Sequence, residues 1–200
     1  YSGSWKPPAL GSDYLNSDGF FYSRVEVCNK DNSGDLKDVR DYRFCEKYPN
    51  GNYKPIGTVQ HYSNQLRLAA FGYALEQTAS YNNGRFGGVL RAPMKYVGPK
   101  KYDENGVDAG ANANAEWDDR TGIFKTNPDG DTKFGTSGVI NYLNHFGRTG
   151  ATPGRYKRYD PASELYYETL RYLQGHPPSA DAISNLTDEM YDRFPIYTDW

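Results

Sequence analysis

The histidines and carboxylates of the chain are the first residues to test for catalysis. His61, His145 and His176 lie far apart in the sequence, and none belongs to a two-histidine metal motif. The acidic pairs at 118–119 and 188–189 consist of adjacent residues, and adjacency alone does not give the opposed geometry of a glycosidase pair. We therefore predict that the chain is not an enzyme.

One loop has the alternating oxygen side chains that calcium sites use. Its residues resemble the start of an EF-hand loop, with glycine at the turn: Asn29, Asp31, Ser33, Gly34 and Asp35. Arg40 stands where a bidentate glutamate should close such a site. Similar fragments at 103–108 and 127–131 favour Asx turns over ion sites. We predict no cofactor, and we name Asp31, Ser33 and Asp35 as the weak candidate ligands for calcium.

Two cysteines, Cys28 and Cys45, bracket a polar segment rich in Asp, Lys and Asn. In an oxidising compartment they would pair and close a loop, with a chain-entropy contribution of about 3 kcal/mol. A metal site would need histidines nearby, and a redox pair usually has a closer spacing. Both alternatives stay open, but a structural disulfide is our prediction, and it implies a secreted or periplasmic protein.

Composition favours one domain with long ordered loops. The 200 residues include 19 Tyr, 21 Gly and 12 Pro. Tyrosine rings suit both cores and wet interfaces, whereas Gly and Pro are typical of turns. A net charge of -2 argues against nucleic-acid binding, which needs basic surface. No apolar run is long enough to span a membrane.

The first half of the chain predicts an extended arm, two strands and a helix. Residues 1–19 are aromatic and interrupted by Pro and Gly, which favours an arm. Residues 20–27 alternate as a half-buried strand does. Helical spacing in 55–64 precedes a continuous apolar run at 66–75, which predicts a helix followed by a buried strand. This order is typical of an α/β fold.

The middle of the chain predicts a peripheral strand and a long insertion. Residues 89–97 have strand character, but Pro93 cannot donate to a ladder, which favours an edge position or a bulge. Residues 100–135 are dense in Pro, Gly, Asp and Asn, which predicts a long loop insertion. Its small apolar anchor would consist of Trp117, Ile123 and Phe124.

The second half predicts three helices. Residues 138–146 would form a short amphipathic helix with an apolar face of Val139, Ile140, Leu143 and Phe146. A longer helix would begin at Asp160 and end before Gly175. Its predicted buried stripe consists of Ala162, Leu165, Tyr166, Thr169, Leu170 and Leu173. Residues 187–194 predict the last helix.

Several runs of the sequence, taken together, resemble one family. They are GGVLRAPMKYVG at 87–98, SGVINYLN at 137–144, YDPASELYY at 159–167, YPNGNYKP at 48–55, LRLAAFG at 66–72 and FPIYTDW at 194–200. In this order they resemble the amino-terminal region of the PilC/PilY family of type IV pilus tip-associated adhesins. The family's carboxy-terminal β-propeller is not present in these 200 residues.

The resemblance implies an α/β fold with a partial von Willebrand factor A-like sheet, flanking helices, long Gly/Pro/Asn-rich loops and one disulfide. Domains of that type bind a divalent ion through an Asp-x-Ser-x-Ser loop, and the run at 31–35 only imitates that motif. We therefore expect the metal-bearing strand to lie upstream of Tyr1. Residues 1–200 are then a single domain, or a fragment of the amino-terminal region of a larger protein.

The resemblance also implies a function in adhesion and in assembly of the pilus tip. The expected location is secreted, at the cell surface or associated with the outer membrane. The expected partners are minor pilins of the tip or a host receptor, contacted through Tyr- and Asn-rich loops, with self-association also open. Three alternatives remain: a structural subunit of an extracellular filament, a secreted carbohydrate-binding module, and a secreted hydrolase with converging acids.

Overall fold

The computed structural model describes residues 27–38, 43–75, 87–145 and 162–200. The predicted arm at 1–19 lies outside them, as does the predicted strand at 20–27 except for Val27, which is exposed and not in a strand. Within the described residues the fold is mixed α/β. The von Willebrand factor A-like arrangement stays a prediction, because every described sheet has only two strands, which run antiparallel.

Six strands and five helices occur in the described residues. The strands pair in chain order: β1 (Cys45–Lys47) with β2 (Tyr53–Pro55), β3 (Arg67–Tyr73) with β4 (Gly88–Tyr96), and β5 (Lys100–Tyr102) with β6 (Asp108–Ala111). The helices are α1 (Thr58–His61), α2 (Val139–His145), α3 (Ala162–Leu173), α4 (Ala180–Ile183) and α5 (Asp188–Tyr191).

The β3–β4 hairpin organises the molecule, and the sequence predicted both of its strands. The predicted bulge at Pro93 is confirmed, since the register shifts between the pairs Leu68–Lys95 and Ala70–Ala92. The prediction that this strand is peripheral is wrong, because the first five residues of β4 are all buried. On its other edge, Leu90 accepts a hydrogen bond from the amide of Tyr197, so the C-terminal segment covers β4.

The predicted insertion at 100–135 is only partly a loop. It contains the β5–β6 hairpin, and Trp117 is 5% exposed in the main core. Ile123 and Phe124 stay exposed, although the Phe124 ring meets Trp117 edge to face. A single buried tryptophan therefore fixes this polar segment against the sheet. The main core consists of Tyr48, Ala70, Ala92, Val97, Trp117, Val139, Tyr142 and Phe194.

Helix α2 is present where predicted, and its predicted apolar face is buried in part, since Val139 lies in the core and the half-buried Ile140 packs against it. Val139 and Tyr142 enter the core, and Asn141 is buried beside them. Leu143, predicted to be buried, is exposed, and Phe146 lies outside the described residues. The polar Asn141 is tolerated because its amide donates to the carbonyl oxygens of Thr126 (2.6 Å) and Ser137 (3.2 Å).

Two further helix predictions need correction in their bounds. The helix predicted at 55–64 is only the single turn Thr58–His61, because Pro55 belongs to β2. The helix predicted at 187–194 ends at Tyr191, where Asp192 and Arg193 adopt left-handed backbone conformations. Helix α4 was not predicted, although Ser179 caps it by accepting a hydrogen bond from the amide of Ala182.

The expected disulfide joins Cys28 to Cys45, whose Cα atoms are 5.8 Å apart. It links residues 27–38 to β1. Residues 27–38 also contact the turn between β1 and β2, because the Lys30 ammonium donates to Gly51 O (3.3 Å) and Asn52 Oδ1 (3.2 Å). The bond therefore closes a loop at the margin of the fold, outside both hydrophobic clusters.

We expect the double variant Cys28→Ser/Cys45→Ser to lower the free energy of unfolding by about 3 kcal/mol, since the unfolded chain regains the entropy of the open loop. Urea unfolding of the two proteins measures the difference. A reductant should lower the stability of the parent to that of the variant and leave the variant unchanged. Equal stabilities of the oxidised parent and the variant would contradict a structural role.

Candidate functional site

Three of the exposed large apolar side chains in the described residues lie on the solvent side of α3. Tyr166 is 65% exposed, Leu173 61% and Tyr167 53%. Tyr166 and Leu173 are seven residues apart, so they lie on the same side of the helix, and the half-buried Leu170 lies between them. We call these four residues the outer face of α3. The sequence predicted three of them, Tyr166, Leu170 and Leu173, as part of a buried stripe.

The opposite side of α3 is fixed to the sheet. Leu165 lies over Gly88 of β4, so closely that a Cβ atom on Gly88 would stand 2.6 Å from the Leu165 Cα. Glu168 is 2% exposed, and its carboxylate accepts a hydrogen bond from the amide of Ser179 at 3.1 Å. The helix thus docks on the sheet through Leu165 and a buried carboxylate, whereas Tyr166, Tyr167 and Leu173 stay exposed.

Three aromatic rings hold the C-terminal half of α3 in place. Phe71 of β3, Tyr172 of α3 and Trp200 contact each other edge to face, with ring centroids 5.5–6.2 Å apart. The Tyr172 hydroxyl accepts a hydrogen bond from the amide of Met94 at 2.8 Å. The Trp200 indole donates to His176 O at 2.7 Å. Because both polar groups of these rings have partners, the cluster positions α3 rigidly.

Tyr167 is also held in one orientation. The Arg171 guanidinium lies 5.6 Å from the centre of its ring and donates to its hydroxyl at 3.1 Å. Arg171 is itself anchored through Nε, which donates to Pro177 O at 2.8 Å. An exposed tyrosine that is already oriented loses little conformational entropy when a partner packs on it. The outer face is therefore suited to binding.

Arg91 fixes the segment 190–194 to the β3–β4 hairpin. It is fully buried, and the β4 register leaves it without a ladder partner between Leu90 and Ala92. Its guanidinium donates to four backbone carbonyls, those of Tyr73 (2.6 Å), Tyr191 (2.7 Å), Met190 (2.9 Å) and Phe194 (3.3 Å). Burial lowers the pKa of this guanidinium. Sequence reasoning missed Arg91, although a lone charge in an apolar strand is a signal for it.

The calcium candidates form a turn. Asp31 Oδ1 accepts from the Ser33 amide (2.9 Å), the Ser33 hydroxyl (2.6 Å) and the Asp35 amide (3.1 Å). The Ser33 hydroxyl bond is the main reason that the pKa of Asp31 lies below its usual range. Arg40 lies outside the described residues, and those residues contain no group of three acids, histidines or cysteines that could hold a metal ion.

The other polar fragments also bind their own backbone. Asp103 Oδ1 accepts from the amides of Asn105 (2.9 Å) and Val107 (2.8 Å). In the fragment 127–131, Asn127 Oδ1 accepts from the Asp131 amide at 2.8 Å. Asp118, from one of the adjacent acidic pairs, bonds Thr121, and this bond holds the pKa of Asp118 low. These acids and amides build turns.

A comparison with curated proteins identifies a relative. The chain is 38% identical, over 231 aligned positions that cover 96% of it, to the "Type IV pilus biogenesis factor PilY1 homolog" of Xylella fastidiosa (strain Temecula1 / ATCC 700964). The chain belongs to the PilY1-like family. It spans 18% of the length of that relative. No protein-family model and no solved structure matches the chain.

The family assignment confirms the resemblance seen in the sequence. Two of the sequence runs on which the resemblance rests belong to defined elements of the fold. The run at 87–98 contains β4 with Gly88 and Arg91, and the run at 159–167 contains the first half of α3. None of the helices in the described part of the chain has the length and apolarity needed to cross a bilayer.

Proposed function

We propose that this chain is a non-enzymatic part of a type IV pilus biogenesis protein that works outside the cell, at the pilus tip or the outer surface. The observation that carries the proposal is the 38% identity to a protein named as a pilus biogenesis factor. The disulfide supports an oxidising location. In the parent protein we place the chain in the amino-terminal, von Willebrand factor A-like region.

We further propose that the chain contacts a pilus component, in adhesion or tip assembly, through the outer face of α3. We favour this surface over the Asn-rich loops because its side chains are large and apolar, whereas Asn112, in the loop after β6, is buried and donates to the carbonyl oxygens of Tyr96 and Gly98. Tyr166 and Leu173 offer large apolar area on a rigid helix, and aromatic anchors of this kind contribute most of the energy in protein interfaces.

We expect the double substitution Tyr166→Ser/Leu173→Ser in the parent protein to weaken binding to purified minor pilins by at least about tenfold, since two anchors leave the interface. Piliation of cells that carry the variant should fall with it. Surface plasmon resonance with each minor pilin, and counting of pili by electron microscopy, measure the two effects.

Tyr62→Ser/Leu66→Ser is the matched control. Tyr62 and Leu66 are exposed residues of the same two types, and they lie on the segment before β3. This variant should bind and assemble pili as the parent does. Equal loss in both variants, or full piliation with the Tyr166→Ser/Leu173→Ser protein, would contradict a role for the outer face of α3.

A further inference from the structure

A largely buried lysine at the side of β4 lies between the fully buried Glu116 and the largely buried Asp129. The ammonium of Lys95 contacts Oε1 of Glu116 at 2.8 Å and Oδ1 of Asp129 at hydrogen-bond distance, and it also donates to Asn114 O at 3.1 Å. The side chains of Lys95, Asp129 and Glu116 are 13%, 10% and 0% exposed. The outer face of α3 does not include this cluster, and no turn or helix cap requires the lysine.

One atom of the cluster has no partner. Asp129 Oδ2 is buried and accepts no hydrogen bond from the residues that the structure describes. A buried carboxylate oxygen without a donor raises the energy of the folded state, and so does a buried ion pair that is only partly satisfied. Conversion of Lys95 and Asp129 into a neutral amide would remove the charges of this pair and one of the two Asp129 oxygens. Glu116 would keep its charge, which the amides of Val139 and Ile140 stabilise.

From this arrangement we propose that Lys95 and Asp129 become joined by an isopeptide bond, formed by the chain itself with Glu116 as the general base. The bond would connect β4 to the turn at 127–131, which lies 34 residues further along the chain. It would be a second covalent link beside the disulfide. The reaction happens once in each molecule and consumes no external substrate.

The step balances without a co-reactant. A proton passes from the Lys95 ammonium to the Asp129 carboxylate, which gives a neutral amine and a neutral acid. The amine nitrogen attacks Cγ of Asp129, so that an N–C bond forms. Glu116 removes one proton from this nitrogen and delivers it to the departing hydroxyl, and the C–O bond breaks with release of water. Glu116 ends in its starting state.

Backbone hydrogen bonds hold the two acidic residues in place for this reaction. The Glu116 amide donates to Val97 O at 2.8 Å, and Glu116 O accepts from the Lys125 amide at 2.8 Å. The Asp129 amide donates to the hydroxyl of the fully buried Ser137 at 2.9 Å. Groups fixed in contact react with effective molarities of about 10⁵ M or more, and exclusion of water opposes the reverse reaction.

The Glu116 carboxylate is itself fixed beside the amine. It accepts from the amides of Val139 (2.8 Å) and Ile140 (3.1 Å) at the start of α2. A base 2.8 Å from the nitrogen is within reach for proton transfer. The acids of this region also act on Tyr197. Burial is the main cause that raises the pKa of Tyr197 to about 12, and the negative charges of Asp129, Asp131 and Glu116 contribute to the same shift.

The chain contains a natural control for burial. Lys100 contacts Asp108 across the β5–β6 hairpin, but these side chains are 60% and 42% exposed. This pair is therefore exposed to bulk water. In the described residues, the Lys100 ammonium forms an ion pair with Asp108 and with no second acid. We therefore expect no amide at Lys100.

Intact-mass spectrometry of the reduced, purified protein tests the proposal. We expect a mass lower than that of the sequence by one water, and a tryptic map with a branched peptide that joins Lys95 to Asp129. Cleavage after Lys100 should be normal. The variant Lys95→Arg should have the full mass, and so should Asp129→Ala, which has no side-chain carboxyl group. Glu116→Gln should keep most molecules at full mass.

Two results would overturn the proposal. The first is a parent protein of full mass that trypsin cleaves after Lys95. The second is a loss of water that persists in Lys95→Arg, because Asp129 precedes Gly130 and could cyclise onto the backbone instead. Circular dichroism of Lys95→Arg establishes that this variant is folded. If Glu116→Gln does not fold, the masses of the parent and of Lys95→Arg still decide the question.

Discussion

The substitution Arg91→Met is expected to lower the free energy of unfolding by about 4 kcal/mol, a larger loss than removal of the disulfide should cause. The guanidinium supplies hydrogen bonds to four buried or half-buried carbonyls, and methionine fills the volume without supplying any donor. Three of the carbonyls belong to residues 190–194, so α5 and the segment after it should detach from β4 first. Urea unfolding followed by circular dichroism measures the loss.

Arg67→Met is the matched control for this prediction. Arg67 lies on the paired strand β3, is exposed, and contacts the Tyr96 ring from outside at 5.7 Å. Its replacement should change stability by less than about 1 kcal/mol. Arg91→Lys should fall between the two, since one ammonium cannot reach four carbonyls. A stable Arg91→Met protein with unchanged hydrogen exchange at 190–194 would contradict the role assigned to Arg91.

The sequence was informative where local chemistry decides the structure. Strands β3 and β4 follow from apolar runs of β-forming residues, and Gly175 ends α3 because it adopts φ = +71°, which glycine tolerates best. The burial of β4 was mispredicted for a physical reason. Pro93 favours an edge, but the β4 strand accommodates it at a bulge, and a second bulge places Arg91, whose two terminal nitrogens donate to carbonyls of the distant segment 190–194.

The pattern of apolar and polar residues in the sequence did not predict the contacts between distant segments. Nothing in the polar segment 100–135 distinguishes Trp117, which is buried, from Phe124, which is exposed. Likewise, the apolar stripe of α3 predicts a buried helix face, but Tyr166 and Leu173 of that stripe are exposed. A sequence pattern does not distinguish a helix face that packs on the protein's own sheet from an apolar face that stays at the surface. Lys95 and Glu116 come from separate segments, so their pairing required the fold.

We expect Gly88→Ala to lower the free energy of unfolding by about 2–3 kcal/mol, although the change adds only a methyl group. The new Cβ would stand 2.6 Å from Leu165 Cα and 2.9 Å from Leu165 Cδ1. A backbone atom cannot rotate away, so the whole of α3 must move off β4. Urea unfolding measures the loss of stability, and hydrogen exchange of the α3 amides should accelerate with it.

Gly57→Ala separates this effect from the general cost of replacing glycine. Gly57 precedes α1 with an ordinary extended backbone, and a Cβ there would meet only Gln60 Oε1, at 3.4 Å. The free energy of unfolding of the Gly57→Ala variant should differ from that of the parent by less than about 0.5 kcal/mol. Because Gly88 positions the helix that carries Tyr166 and Leu173, Gly88→Ala should also weaken pilin binding at temperatures where the protein is still folded. Unchanged binding by a destabilised Gly88→Ala protein would show that partners do not use the outer face of α3.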